Sequence, residues 1–423
     1  MALTNEQKLI AHNRDFPKPG MKEITDKVFV VTGLGGNNAL LVEGESSGVL
    51  VDALSNETEG LEAAAWLRST GRQPVKTVIF THSHPDHTSG AAAIAPEANL
   101  VIARKPSAPV YGHSSALNGI GAVRGMRQWG DGLSREEIIN IGTNPFYEIR
   151  QKAAPLNPSY VYNEEELAMT VDGVSFVLYA ADGETDDQTF VWFPERKILA
   201  CGDNYYHTFP NTSPIRGGQY RNVSRWIDSL DLILRLEPEH LVPGHTHALA
   251  GKEEIQRVVT DYRDGVRHIF TETLEGMNRG LTPDQLVETV ALPDHLRECP
   301  QLQEFYGKVS WMVRGIFSGY LGWFDGNPTH LETLPCRERA LRTLDLSGGA
   351  AAVLAAAKTA AQKSSQNDAQ WAAELCDILM EADQLVEEAK STKAAALRLL
   401  ARATINSCAR HYYFCAAKDL EEA

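Results

Sequence analysis

Residues 81–90 read Thr81-His82-Ser83-His84-Pro85-Asp86-His87-Thr88-Ser89-Gly90, straight after the apolar run Val78-Ile79-Phe80. Three imidazoles and one carboxylate thus fall within six residues at the end of a predicted strand. An extended segment alternates its side chains, so His82 and His84 point the same way. Pro85 then turns the chain and sets Asp86 and His87 on the other side of the same cavity. Imidazole and carboxylate are the ligand types of a hydrolytic zinc site. One metal takes the first pair and a second metal the next. Two metals about 3.5–4 Å apart form a clamp that binds a substrate oxygen and makes hydroxide at neutral pH. A solvated loop explains a lone histidine better than it explains this spacing.

A dinuclear site needs more ligands, and three later loops supply them. Asp182-Gly183-Glu184-Thr185-Asp186-Asp187 follows a strand ending at Tyr179. Cys201-Gly202-Asp203 follows the run Lys197 to Ala200. Leu241-Val242-Pro243-Gly244-His245 follows a helix and a short apolar run. Each loop comes after a β-type segment, where sites gather on sheet scaffolds. A single carboxylate loop is ordinarily a solvated turn, which is the reading for Asp186 and Asp187. The serial order of all four loops marks Glu184, Asp203 and His245 as ligands, with Asp203 able to bridge and His245 closing the second position.

The first two thirds of the chain alternate β-rich runs with helical patterns. Strands are predicted at 28–31, 39–42, 48–51, 77–80, 100–102, 174–179, 189–193 and 197–200. Helices are predicted at 61–68 and 224–236, the second with Trp226, Ile227, Leu230, Ile233 and Leu234 on one face. Residues 104–165 are rich in glycine, proline and Asn/Asp. They read as a long insertion with little regular core, a lid or dimer arm bearing Tyr111, Trp129, Phe146 and Tyr147. After Gly280 the pattern becomes helical, opening at Thr282-Pro283-Asp284. Breaks fall at Gly348-Gly349 and Ser364 to Asp368, and helix pairs with alanines at close-packing positions follow. Two domains are expected, 1–281 and 282–423.

The 423 residues suffice for two or three domains, and a 43% hydrophobic content is ordinary for a globular chain. A formal charge of −15 argues against nucleic acid as the main partner. No apolar stretch is long enough to span a bilayer. The polar start lacks the apolar core of a secretory signal, so the expected location is cytoplasmic. Cysteines 201, 299, 336, 376, 408 and 415 show no paired zinc-type spacing and read as reduced thiols.

The order of these loops resembles the metallo-β-lactamase superfamily, whose fold is an αβ/βα sandwich with the metals at one edge. Most members place a histidine at the third loop. Glu184 in that place resembles the alkyl sulfatase branch, the type III zinc-dependent sulfatases. Asp203 is followed by His207, Asn211 and Arg216-Gly217, similar to that branch's His, Asn and Arg-Gly pattern. Arg124 to Gly130 is similar to the stretch before its substrate loop. Tyr320-Leu321-Gly322-Trp323-Phe324-Asp325-Gly326-Asn327-Pro328 resembles a signature of its dimerisation domain, and Trp371-Ala372-Ala373-Glu374-Leu375 fits the helices beyond it. Three departures stand out. The bridging position usually holds glutamate and here is Asp203. His245 sits in a Pro-Gly-His-Thr-His context. The chain also shows no sterol-carrier-like domain, which implies less wall for a long alkyl tail.

The resemblance implies an αβ/βα sandwich followed by an all-α dimerisation domain, two Zn2+ per chain and a homodimer. Zinc, manganese and iron share these ligand types. It implies sulfate-ester hydrolysis with His82, His84, Asp86, His87, Glu184, Asp203 and His245 as metal ligands. Asn211 and Arg216 would bind the sulfate, Arg216 as a planar charged fork. His207 and Asp86 are the candidate catalytic side chains, His207 as general acid or as an orienter of Asp203. Hydrolysis of another ester, lactone or phosphoester on the same metals is the alternative. A helical assembly protein with an idle metal module is the third reading, and the complete ligand set argues against it.

Overall fold

The computed structural model describes residues 3–105, 117–145, 152–363 and 365–422, and the chain divides into two compact units. The larger, His12–Asn118 with Gly142–Tyr320, contains two sheets. The first runs in chain order through β1 (Gly20–Thr25), β2 (Val28–Thr32), β3 (Ala39–Glu43), β4 (Gly48–Val51), β5 (Val75–Ile79), β6 (Leu100–Arg104) and β7 (Tyr160–Tyr162). It is antiparallel up to β4 and parallel beyond. The second holds β8 (Glu166–Val171), β9 (Val174–Ala180), β10 (Thr189–Phe193), β11 (Ile198–Gly202), β12 (His240–Pro243) and β13 (Leu249–Ala250), ordered β13-β12-β11-β10-β9-β8. Only β11 and β12 pair in parallel, joined through the helix Val223–Leu236.

Strand alternation builds the layers. Val28, Val30, Leu40, Val42, Val49 and Val51 face Phe176, Leu178, Val191 and Phe193 in a core between the sheets. The intervening Phe29, Val31, Leu41 and Leu50 turn outward onto Ala63 and Leu67 of the helix Glu57–Ser69. On the far side, Phe190, Trp192 and Leu199 meet Trp226, Leu230, Val259 and Tyr262 of the helices Val223–Leu236 and Lys252–Asn278. Covering both faces of each sheet explains why β2, β3, β10 and β11 read as continuous apolar runs. The architecture is the expected αβ/βα sandwich. Residues 286–317 join that outer core through Leu286, Val290, Leu292, Leu302, Met312 and Ile316.

The smaller unit, Met1–Ala11, Gly119–Ile141 and Leu321–Ala423, is helical in its described part. The helices Cys336–Leu346, Ala350–Ala361, Gln366–Glu381, Val386–Ala403 and Ser407–Glu422 follow one another, with Ala360, Ala372, Ala373 and Ala396 packed closely. Arg410, 1% exposed, donates to the Glu137 and Ala401 carbonyls and to Glu6. Residues 104–165 depart from expectation. They contain the helices Asn118–Trp129 and Arg135–Ile138 as well as β7, and His411 lies between the carbonyls of Gln128 and Ile138. Gly119, Gly121 and Gly125 lower the helix propensity that would have revealed the first of these. Tyr111, Phe146 and Tyr147 lie outside the described residues. Among the described residues, no single helix is long and apolar enough to cross a membrane.

Candidate metal centre

The strands β5, β9, β11 and β12 deliver their following loops to one place. His82 and His84 follow β5, and Pro85 opens a single helical turn, Pro85–Thr88, carrying Asp86 and His87. Asp203 follows β11, and Gly244-His245 follow β12. Two donor groups result: Asp86, His87, Asp203 and His245, and His82, His84 and Asp203. Asp203 belongs to both. Its Oδ1 lies 3.3 Å from His87 Nε2, and its Oδ2 lies 3.1 Å from His245 Nε2 and 3.9 Å from His82 Nε2. Asp86 Oδ2 is 3.3 Å from His245 Nε2 and 3.6 Å from His87 Nε2. Gly244 permits this closeness, since a Cβ there would sit 2.2 Å from Asp203 Oδ1.

The outer ring nitrogens are held by fixed partners. His87 donates its Nδ1–H to Asp52 at 2.8 Å. His245 donates its Nδ1–H to the Gly36 carbonyl. The Thr81 hydroxyl donates to Asp52 at 2.8 Å, so its oxygen accepts from His82 Nδ1 at 3.1 Å. His82, His87 and His245 therefore each turn Nε2 inward, the arrangement typical of metal-binding histidines. His84 instead turns Nδ1 inward, 2.9 Å from His82 Nε2. Among the described residues, His87 Nε2 and Asp203 Oδ1 are buried without a hydrogen-bond partner. A divalent cation satisfies such orphaned donors, so the residues present fit a metal.

Charge follows the same division. Burial, then Arg216 and Arg221, push His84 down to about 3. Burial and its neighbours His87 and His84 hold His82 well below the usual range. Burial works against a charged His245, yet the Asp203 and Asp86 carboxylates outweigh it and raise this ring to about 10. The same contest holds His87 well above its ordinary value. Protons on these two rings compete with a cation for the same nitrogens.

Glu184 stands at the edge, its Oε1 3.6 Å from His84 Nδ1. Its other oxygen accepts from Arg221, a 6% exposed residue that sequence reasoning does not single out. Burial, partly offset by Arg221, raises Glu184 to about 7. Asn211 is 1% exposed, and both atoms of its amide lack a hydrogen-bond partner among the described residues. Arg216 lies close enough to His84 and Glu184 to act on the charge of both. His207 faces elsewhere: its Nδ1 meets the Tyr205 hydroxyl at 3.1 Å, and its ring packs on His247 at 4.6 Å. It makes no hydrogen bond to Asp203.

Two layers of sheet between helices, with imidazoles and carboxylates gathered at the strand ends, define a metallo-β-lactamase-type hydrolase. A model of the metallo-beta-lactamase superfamily matches residues 32–245, and one described as alkyl sulfatase dimerisation matches residues 282–423. The linear primary-alkylsulfatase of a Pseudomonas species is 31% identical over 395 residues, covering 90% of this chain and 73% of that protein. The alkyl/aryl-sulfatase BDS1 of Saccharomyces cerevisiae is 29% identical over 416 residues, 95% of this chain and 64% of that one. Among solved structures, the stereoselective inverting sec-alkylsulfatase Pisa1 from Pseudomonas sp. superposes with a TM-score of 0.89 at 26% identity, over 98% of this chain and 67% of that chain. This chain therefore spans 64–73% of the length of these relatives. The chain belongs to the alkylsulfatase family of the metallo-β-lactamase superfamily.

Proposed function

We propose that this chain hydrolyses alkyl or aryl sulfate esters with two divalent cations, zinc being one that these imidazole and carboxylate donors suit. His82, His84 and Glu184 hold one, Asp86, His87 and His245 hold the other, and Asp203 lies between them. When bound, the cations supply hydroxide at neutral pH and offset the negative charge of the sulfate oxygens. The observation that carries this reading is that Asp203 belongs to both donor groups, its Oδ1 facing His87 and its Oδ2 facing both His245 and His82.

The remaining side chains bind and orient. Arg216 offers charged donors to the sulfate, and its field keeps anions beside His84 and Glu184 favourable. Asn211 brings a buried amide without an internal partner, so a sulfate oxygen accepts from its Nδ2–H at no cost to another bond. Burial and His247 hold His207 down to about 4, which makes it a neutral imidazole at pH 7. A neutral ring turned to Tyr205 and His247 holds no proton for the departing alcohol, so the general-acid role is not assigned to His207.

Residues 1–281 carry the chemistry in this reading, and 282–423 supply the helical partner surface of a homodimer. Support for the dimer comes from the exposed Leu321, Trp323, Leu331 and Leu346, of which Trp323 is 76% exposed. Sulfate release from alkyl and aryl sulfates, run beside elemental analysis of protein purified without chelator, tests the function. Release of sulfate with two metals per chain is expected. A metal-free but fully active protein, or hydrolysis of carboxylic or phosphate esters alone, would overturn it.

A further inference from the structure

We propose that Arg221 is a positioning residue. It fixes Glu184 so that only Oε1 faces His84, and it thereby sets the affinity of the His82–His84–Glu184 cation position without setting that of the other. The inference rests on the ligand assignment proposed above and deepens it.

Glu184 is held at both ends. Its backbone N–H donates to Asn204 Oδ1 at 2.9 Å, and Asn204 is itself fixed by donating to the Ala181 carbonyl at 2.6 Å and the Ser229 hydroxyl at 2.9 Å. At the far end, Arg221 Nη1 donates to Oε2 and, at 2.6 Å, to the Asn211 carbonyl. Both partners are nearly sealed, with Glu184 4% and Arg221 6% exposed. A carboxylate with one oxygen committed to a buried guanidinium has one oxygen left for a cation. Asp203 differs, since both of its oxygens face histidines.

The pair also constrains which ligand position 184 accepts. Histidine is an equally good zinc ligand in isolation. Here it would leave Arg221 a buried cation without its counter-charge, which is strongly unfavourable. Positions 184 and 221 therefore act as one unit. The same guanidinium bonds the backbone of Asn211, so the unit ties one cation position to the loop that carries the sulfate-binding amide.

Zinc affinity, read by competition with a chromophoric chelator, tests this in two backgrounds. His245→Ala leaves the His82–His84–Glu184 position to be measured, and His82→Ala leaves the other. Arg221→Met is expected to weaken zinc about 10- to 100-fold in the first background, the usual effect of losing the partner of a metal ligand. In the second it is expected to change affinity by less than about threefold, within the usual additivity of independent sites. Glu184→Gln combined with Arg221→Met is expected to lose no more than the larger single loss, because the two act together. Equal losses in both backgrounds, no loss in either, or additive losses overturn the positioning role. If Arg221→Met does not yield folded protein by circular dichroism, Arg221→Gln, which also removes the charge, replaces it and is judged by the same outcomes. Failure of the His245→Ala protein, with Arg221 intact, to bind zinc overturns the ligand assignment and this role with it.

Discussion

The carboxylate of Asp52 accepts the Nδ1–H of His87 at 2.8 Å and, on the same group, the backbone N–H and hydroxyl of Thr81, each also at 2.8 Å. Asp52 directly follows β4 with φ +57, a left-handed turn that aims it beneath the loop after β5. One side chain thus sets His87 directly and His82 through Thr81.

Asp52→Ala frees the outer nitrogen of His87 and releases the Thr81 hydroxyl that orients His82. Metal affinity is expected to fall about 10- to 100-fold, with cooperative unfolding retained. Chelator competition beside a thermal melt measures it. Unchanged affinity would show that the ring orientations are fixed by packing alone.

Arg216→Ala is expected to lower kcat/KM for sulfate esters while both metals stay bound. A lost hydrogen bond to a charged group costs about 1.5–3 kcal/mol, or roughly ten- to a hundredfold in rate. Steady-state kinetics with elemental analysis of the same sample decide it. An unaltered rate at full metal content would make Arg216 structural.

Gly307 touches the same loop from the other side. A Cβ there would lie 2.0 Å from the Pro210 carbonyl oxygen and 2.7 Å from the Asn211 nitrogen, and neither backbone atom can rotate away. The Gly307 N–H also donates to the Phe209 carbonyl at 3.0 Å. Gly307→Ala is expected to displace Asn211, destabilise the fold by about 1–3 kcal/mol, and reduce turnover with metal content intact. Urea unfolding together with kinetics provides the check.

His207 gives a pH-dependent prediction. Burial, then His247, place it at about 4 in the folded chain, against an ordinary value of 6.5. Between these values the unfolded chain binds more protons than the folded one, so stability rises with pH across the window and is complete above it. Acidification through the same window removes this contribution. In chelated protein, the urea midpoint of His207→Gln is expected to gain on the parent between pH 7.5 and pH 5. A difference independent of pH would show that the ring is not protonated on unfolding.

What the sequence makes legible depends on whether a signal is contiguous. The cluster from His82 to His87 is read at once because its donors are neighbours in the chain and follow a strand. Glu184, Asp203 and His245 are read from loop order, and the structure brings Asp203 and His245 to the His82–His87 loop, with Glu184 beside His84. Asp52 and Arg221 carry no such signal, since each is a single charged residue whose partner is more than 30 positions away in the chain. Edge strands were equally silent. β1 and β8 have half-exposed patterns, without the apolar runs of their buried neighbours. The direction of His207 was also unreadable, because its partners Tyr205 and His247 are set by the packing of two separate loops.

The outer core shared by Phe190, Trp192, Trp226 and Tyr262 with Leu286, Leu302, Met312 and Ile316 bears on modularity. The region matched by the dimerisation model begins at residue 282, ahead of these last four side chains. A chain cut at that point would keep every proposed metal donor and lose part of the apolar cover over its second sheet. The sandwich therefore cannot be transplanted without the first helices of its neighbour. A cut that spares the outer core of the sandwich falls no earlier than Tyr320, where its compact unit ends, so inheritance of the site carries with it the start of the helical segment.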